Sequence, residues 1–431
     1  MAKIFQLTNK IRVILEFMPH FKTVTTGVWI RAGSVNETKK TNGLAHMLEH
    51  MIFQGTTTRS AKEICAITAQ IGDDLNAYTS EEYTAYYSTT ITQDLPVLLE
   101  LLSDMLFHPK FGTQEIRKEK KVILEEIDMY EDSPEDLVHE LLQKKIFGSH
   151  PLGFSISGTK ERVKQFQRED LFEFWDTYYV PERMVISIAG AFCEEETLTK
   201  LEQLFGKEKI KKNTTKFSEE KIPSPILRQS ICLRKKDMEQ LHINLAVPAI
   251  HAGHKDRFLF SVVNSVLGGS NHSRLFQKVR EELGLAYSIY SYGNSFSNVG
   301  LWHIDSTVNP SKGAYCLQII LDIIHNLSKN GLTKEELEMH KRQIMIETML
   351  NDEGTKARMS KQVSNLFTYG KVIPLKEWLD DLEKVTLSQV NEFAASYLKL
   401  NQLSLCLIGP KGQIDGLEKL KRQFKKWTNI S

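Results

Sequence analysis

The sequence predicts an α+β protein built from two duplicated domains, each a mostly antiparallel sheet packed with helices. Three observations carry this. The chain has 431 residues, too many for one ordinary core, and its 41% apolar and 25% charged content is that of a globular protein. Short segments rich in β-branched residues alternate with segments of helical period. Two separated places also repeat. YVPERMVISIAG, ending at Gly190, resembles YLKLNQLSLCLIG, ending at Gly409, and GTQEIRKEKKVILEEI at Gly112 resembles GLTKEELEMHKRQIMIE at Gly331. Each pair lies 219 positions apart. One constant offset at two places indicates related lobes, not a solenoid of short repeats.

The elements follow in order. The N-terminus, MAKIFQLTNKIRVILEFMP, has no continuous apolar core and no small-residue cleavage site, so it reads as a first strand and not as a signal peptide. Residues 11–17 and 23–32 read as strands separated by Met18-Pro19. Residues 41–53 read as a helix, because Leu44, Leu48 and Met51 recur at helical spacing and Thr41 or Asn42 can cap it. A second helix over 61–71 closes at Gly72, and 75–91 is strand-like, rich in Thr and Tyr. Helices are expected at 94–107 and 113–131, with more helix to about Tyr179, then a buried strand at 184–189 and a helix at 194–205. From Gly206 to Pro225 the chain turns Lys-rich and poor in apolar residues, the composition of an exposed linker. The expected division is 1–210 for a first domain, 211–225 for the linker and 226–431 for a related second domain.

Fifty-five basic residues against 54 acidic ones give a net charge of +1, which leaves no basic excess to neutralise a phosphate backbone. Nucleic acid is therefore not an expected partner. The five cysteines are scattered and include no CxxC pair, which argues against a disulfide framework and a thiolate metal knuckle. Reduced thiols in a cytoplasmic setting are the expectation. No run of about 18 apolar residues occurs, so no membrane span is expected.

One segment carries chemistry. In Gly43-Leu-Ala-His-Met-Leu-Glu-His50, His46 and His50 are four apart on one helical face, and Glu49 is three after His46. Two such imidazoles can hold one zinc ion, and a carboxylate beside them can take a proton from a bound water. Catalytic zinc needs a third protein ligand. The acidic helix over 115–131 offers one, because Glu119 and Glu126 are seven apart and share a face with Val122 and Ile123, which turns that face inward. An inward carboxylate needs a cation or a donor. One of the pair as ligand and the other orienting a ligand histidine would meet both needs, and chemistry alone leaves open which is which. His251 and His254 sit in an expected loop without a paired Glu, so one metal site per chain is expected.

HxxEH is the inverted zincin motif, and here the resemblance to a family becomes specific. The chain resembles the pitrilysin-type zinc metallopeptidases, in particular their two-domain, processing-peptidase-like branch, over nearly its whole length. GLAHMLEHMIFQGT resembles the family's zinc helix and EKKVILEEI its third-ligand helix. The resemblance implies His46, His50 and Glu126 as ligands of one Zn2+, Glu49 as the general base, and Glu119 as the carboxylate behind a ligand. LNAYTSEEYTAYY resembles the strand that pairs with extended substrate, with Asn76 and Ala77 at the matching positions. GSNHSRLFQKVREELGLAYS resembles the segment whose Arg and Tyr contact substrate, here Arg280 and Tyr287.

Longer relatives carry two such halves that close as a clamshell, so this chain would form half of one. The implied assembly is a homodimer in which Arg280 and Tyr287 of one copy complete the zinc site of the other; a heterodimer with an inactive paralogue is the alternative. The implied activity is that of a zinc endopeptidase acting on extended oligopeptides or unfolded segments. Two other readings are a non-catalytic peptide-binding or partner subunit, and a processing peptidase specific for leader or pro-peptides.

Overall fold

The computed structural model describes residues 2–72, 75–207, 223–411 and 414–428. The expected linker, 211–225, lies almost entirely outside these residues. The first sheet is built from β1 (Lys3–Gln6), β2 (Arg12–Phe17), β3 (Thr23–Ile30), β4 (Asn76–Thr79), β5 (Thr84–Ile91) and β6 (Met184–Gly190). Its order is β1-β2-β6-β3-β5-β4. The second sheet is built from β7 (Ile231–Lys236), β8 (Leu241–Ala249), β9 (Ala286–Ser295), β10 (Gly300–Val308) and β11 (Ser404–Pro410), in the order β7-β11-β8-β10-β9.

Without β1, the two sheets have one topology. Each has a single parallel pair, β2 with β6 and β7 with β11, and the remaining pairs are antiparallel. Such a correspondence, strand for strand, is what a duplicated α+β domain requires. The continuous segment expected over 75–91 is instead a hairpin, because Ser80–Tyr83 turn: the Ser80 hydroxyl donates to the Tyr83 carbonyl and accepts from the Tyr83 amide.

The chain packs into two compact units that are not consecutive halves. One comprises Met1–Met129, Phe154–Pro223 and Asn351–Pro374; the other comprises Tyr130–Gly153, Ser224–Leu350 and Leu375–Ser431. Each unit thus takes one helix from the opposite half of the sequence. In the first, helix Thr355–Tyr369 covers the outer face of the sheet, where Met359, Val363 and Leu366 pack on Ile14, Trp29, Ala85, Val185 and Ala189. The inner face, from Val13, Leu15, Val28, Ile30, Ile186 and Ile188, buries helix Leu95–Phe107 and the helix that carries His46. The two-residue alternation assigns these side chains to the two faces, and cover on both leaves β6 buried throughout, with apolar residues at every position but Ser187, whose hydroxyl donates to the Met359 carbonyl. In the second unit, helix Pro134–Phe147 lies on the corresponding face, against β8 and β11.

Candidate metal centre

The His46 helix spans Leu44–Ile52 and is buried on nearly all sides, with Glu49 and His50 half-exposed. Its start is not capped by Thr41 or Asn42. The N-cap is Gly43 at φ +94°, and the capping group is the buried carboxylate of Glu37, which accepts from the amides of Gly43 (2.9 Å) and Ala45 (2.8 Å) and from Asn42 Nδ2 (3.0 Å). A longer-range carboxylate wins because Gly43 and Gly158 pack backbone on backbone there. A Cβ on Gly43 would lie 2.7 Å from the Ser157 carbonyl, so only a left-handed glycine fits. Burial raises the Glu37 pKa to about 8 against the opposing hydrogen bonds from Asn42 and the backbone amides.

The acidic helix spans Thr113–Asp132 and buries Ile116, Glu119, Ile123 and Ile127. Val122, expected on the inward face, is 45% exposed. The buried stripe centres on the isoleucines, and at about 100° per residue Val122 has turned off it. Glu119 and Glu126 remain on the inward side, the first buried and the second half-buried.

His46, His50 and Glu126 converge, each offering one donor atom, all within 4.8 Å of one another. His46 Nε2 is 3.6 Å from Glu126 Oε1, and His50 Nε2 is 3.5 Å from Glu126 Oε2. Both separations are long for an N–H···O hydrogen bond. They are close to the edge of a tetrahedron, about 3.3–3.4 Å, when each donor stands 2.0–2.1 Å from a zinc ion. The set of two imidazoles and a carboxylate, three protein donors, therefore fits the donor set of a catalytic zinc site. His50 Nδ1 lies 3.1 Å from Glu119 Oε2. A carboxylate can only accept there, so Nδ1 carries the proton and Nε2 is left for a metal.

The electrostatics agree. Burial disfavours a charged His50, but its contacts with Glu119 and Glu126 and the charge of Glu49 outweigh that and raise its pKa to about 9. The same histidines hold Glu126 well below the usual carboxylate range. In the absence of an ion, the acidic groups draw a proton onto the site; with an ion bound, they face the metal's charge instead.

Glu49 projects from the same helix. Its Oε2 accepts a 2.5 Å hydrogen bond from the Thr79 hydroxyl at the end of β4. Buried Tyr86 and Tyr179, whose hydroxyls are 2.8 Å apart, are shifted upward first by desolvation and also by the charge of Glu49. Asn76 and Ala77 also lie on β4, the last strand of its sheet. Ala77 packs against the core and Asn76 is exposed.

Arg280 and Tyr287 belong to the second unit. Arg280 stacks over the Phe276 ring at 4.8 Å, and Tyr287, on β9, is 79% exposed. Strand β9 ends its sheet just as β4 ends the first.

The second unit also contains the counterparts of the two site helices: Arg257–Leu267 follows β8 as the His46 helix follows β3, and Lys334–Asn351 repeats the acidic helix. There Ser265 Oγ and His340 Nδ1 make a polar contact between the two helices, 2.8 Å apart. Asn264 accepts from Trp302 Nε1 and from the Ser291 hydroxyl, both at 2.8 Å. These are satisfied hydrogen bonds within a core, not convergent ligands.

Two residues that matter to the site, Glu37 and Thr79, did not stand out in the sequence. Neither has a motif spacing. Glu37 at least precedes the helix with a run of polar residues, while Thr79 is one of several threonines in its segment.

Comparison with known proteins shows the family. The family described as Insulinase (Peptidase family M16) matches residues 12–160, and the one described as Peptidase M16 inactive domain matches residues 165–344. The chain is 39% identical over 414 residues to the uncharacterized zinc protease YmxG of Bacillus subtilis (strain 168), covering 96% of this chain and 100% of that one. It is 31% identical to the mitochondrial-processing peptidase subunit beta of Lentinula edodes, covering 97% and 91%. The crystal structure of a protease from Helicobacter pylori superposes with a TM-score of 0.87 at 21% identity, over 95% of this chain and 99% of that one, and so shares the fold. Identity of this extent to named zinc proteases, on this fold, shows that the chain belongs to the insulinase family of peptidases, peptidase family M16.

Proposed function

We propose that this protein is a zinc-dependent endopeptidase that cleaves extended oligopeptides or unfolded segments. The observation that carries the reading is the convergence of His46, His50 and Glu126 within 4.8 Å, with Glu49 on the histidines' own helix and its charge acting on His50. His46 Nε2, His50 Nε2 and a Glu126 oxygen hold one zinc ion per chain, and Glu119 fixes the His50 tautomer. When bound, zinc supplies a Lewis acid and lowers the pKa of a coordinated water to about 7. Glu49 takes the proton from the attacking water and delivers it to the departing amine. The outer edge of β4, at Asn76 and Ala77, pairs with an extended substrate by backbone hydrogen bonds, which favours unfolded chains over folded ones.

Arg280 donates in a fork and Tyr287 through one hydroxyl, and we assign both to a substrate carbonyl. In this reading they serve the zinc site of a second copy in a homodimer. The exposure of Tyr287 supports a role at such a surface. All five cysteines are free, which suits a reducing, cytoplasmic compartment. Among the described residues no helix is long and apolar enough to cross a membrane.

The test is metal content together with cleavage of a quenched fluorescent peptide library, for the wild type and Glu49→Gln. Zinc retained with cleavage lost in the variant supports the reading. Equal cleavage by both proteins removes Glu49 from the mechanism. Zinc binding without any cleavage by the wild type favours a non-catalytic peptide-binding subunit. The likeness to a processing-peptidase subunit favours a narrower reading, a peptidase specific for leader segments; cleavage at one site in a leader peptide, with the library untouched, would select it.

A further inference from the structure

We infer that Thr79 is a positioning residue for the general base: its hydroxyl holds Glu49 in the one orientation that presents a free carboxylate oxygen to the substrate water. The inference rests on Glu49 acting as proposed above. Three observations carry it. The first is the hydrogen bond itself, 2.5 Å from Thr79 Oγ1 to Glu49 Oε2 between half-buried groups thirty positions apart. A short O–H···O⁻ bond of this kind is among the stronger ones available to a neutral donor. It occupies one carboxylate oxygen and leaves the proton to be taken by the other.

The second is that the donor is itself constrained. Threonine is stiff at χ1 because it branches at Cβ. Thr79 is paired with Thr84 across the β4–β5 hairpin, and Thr84 Oγ1 donates to the Ala32 carbonyl. Alternation along β4 sends Ala77 and Thr79 to the core side, where the His46 helix packs on this strand.

The third is that one short segment holds both partners. The amides of Ser34 and Val35 donate to the carbonyls of Ser80 and Glu81, at 3.3 and 2.8 Å, directly after Thr79. Gly33 lies so close to that turn that a Cβ on it would sit 2.3 Å from the Ser80 carbonyl oxygen. Two residues after Val35, Glu37 caps the helix that carries Glu49. Residues 33–37 therefore fix the donor strand and the acceptor helix together. A glutamate has three rotatable bonds, and at a half-exposed position the Thr79 hydrogen bond selects one rotamer.

The experiment compares Thr79→Val, which keeps the shape and removes the hydroxyl, with Thr79→Ser, which keeps the hydroxyl, beside wild type and Glu49→Gln. Thr79→Val is expected to lower kcat about tenfold, the effect of one hydrogen bond to a charged group, with KM and zinc content unchanged; Thr79→Ser restores most of the rate. A second readout uses the zinc-free protein: Thr79→Val lowers the melting temperature, and in a Glu49→Ala background that shift disappears. The inference is overturned if Thr79→Val turns over like wild type while Glu49→Gln is inactive, if Thr79→Ser is as slow as Thr79→Val, or if the melting shift is the same in both backgrounds. Full activity of Glu49→Gln would overturn instead the role of Glu49.

Discussion

The two units of this molecule each place a corresponding pair of helices against the same kind of sheet and put different chemistry between them. In the first unit the contact is His50 to Glu119 at 3.1 Å, flanked by His46 and Glu126. In the second it is Ser265 to His340 at 2.8 Å, flanked by Asn264, which is tied to Trp302 and Ser291. Both contacts satisfy buried polar groups, so both serve the fold. Only the first leaves donor atoms aimed at a common point. The comparison teaches that the fold supplies a place where two helices and a sheet meet, while the metal site depends on a few side chains within it.

The largest way to break the comparison is to remove a convergent donor. His50→Ala should reduce bound zinc from one per chain to near none by elemental analysis and abolish peptide cleavage, since two remaining ligands make a poor site. Glu119→Gln should be milder: the donor set is intact but His50 loses its charged partner, and zinc affinity measured by chelator competition should fall about 10–100-fold. The matching change in the other unit, His340→Ala, should leave zinc content and cleavage untouched. Its cost is stability, about 1–3 kcal/mol by denaturant unfolding, because the buried Ser265 hydroxyl loses its partner.

The smallest effects sharpen the contrast through pH, in zinc-free protein. The His50 pKa is raised to about 9, so its contribution to stability is full below about pH 6.5 and is lost as pH rises through 9. The His340 pKa is lowered by burial, so its contribution is present above about pH 6.5 and lost as pH falls. Thermal melts against pH should therefore show His50→Gln flattening the alkaline loss and His340→Gln flattening the acid loss. A shared sign for the two would break the distinction between a site poised for a cation and a histidine buried neutral.

The repeat at a 219-residue offset was legible because both halves keep the same buried strands and amphipathic helices. It pointed correctly to one α+β topology used twice. The HxxEH helix was legible because spacing on a helix is geometry. Glu119 and Glu126 were legible as a pair because seven residues return to one face. The identity of the face was less so: Val122, an apolar residue, is 45% exposed, because the pattern is read from composition while burial is decided by what the helix packs on.

What the sequence determined by itself, then, is local and periodic: element types, the duplicated lobe, and the candidate donors on each helix. Only the tertiary structure decided that helices Thr355–Tyr369 and Pro134–Phe147 each belong to the unit of the opposite half, since the apolar stripe of a helix does not say which sheet it will cover. Only the tertiary structure decided that Glu37, not Thr41 or Asn42, caps the His46 helix, and that Thr79 reaches Glu49. Contacts between residues with no fixed spacing leave no period in the chain. They arise where two close approaches, Gly43 on Gly158 and Gly33 on Ser80, bring backbone segments together and leave one side chain within reach of another.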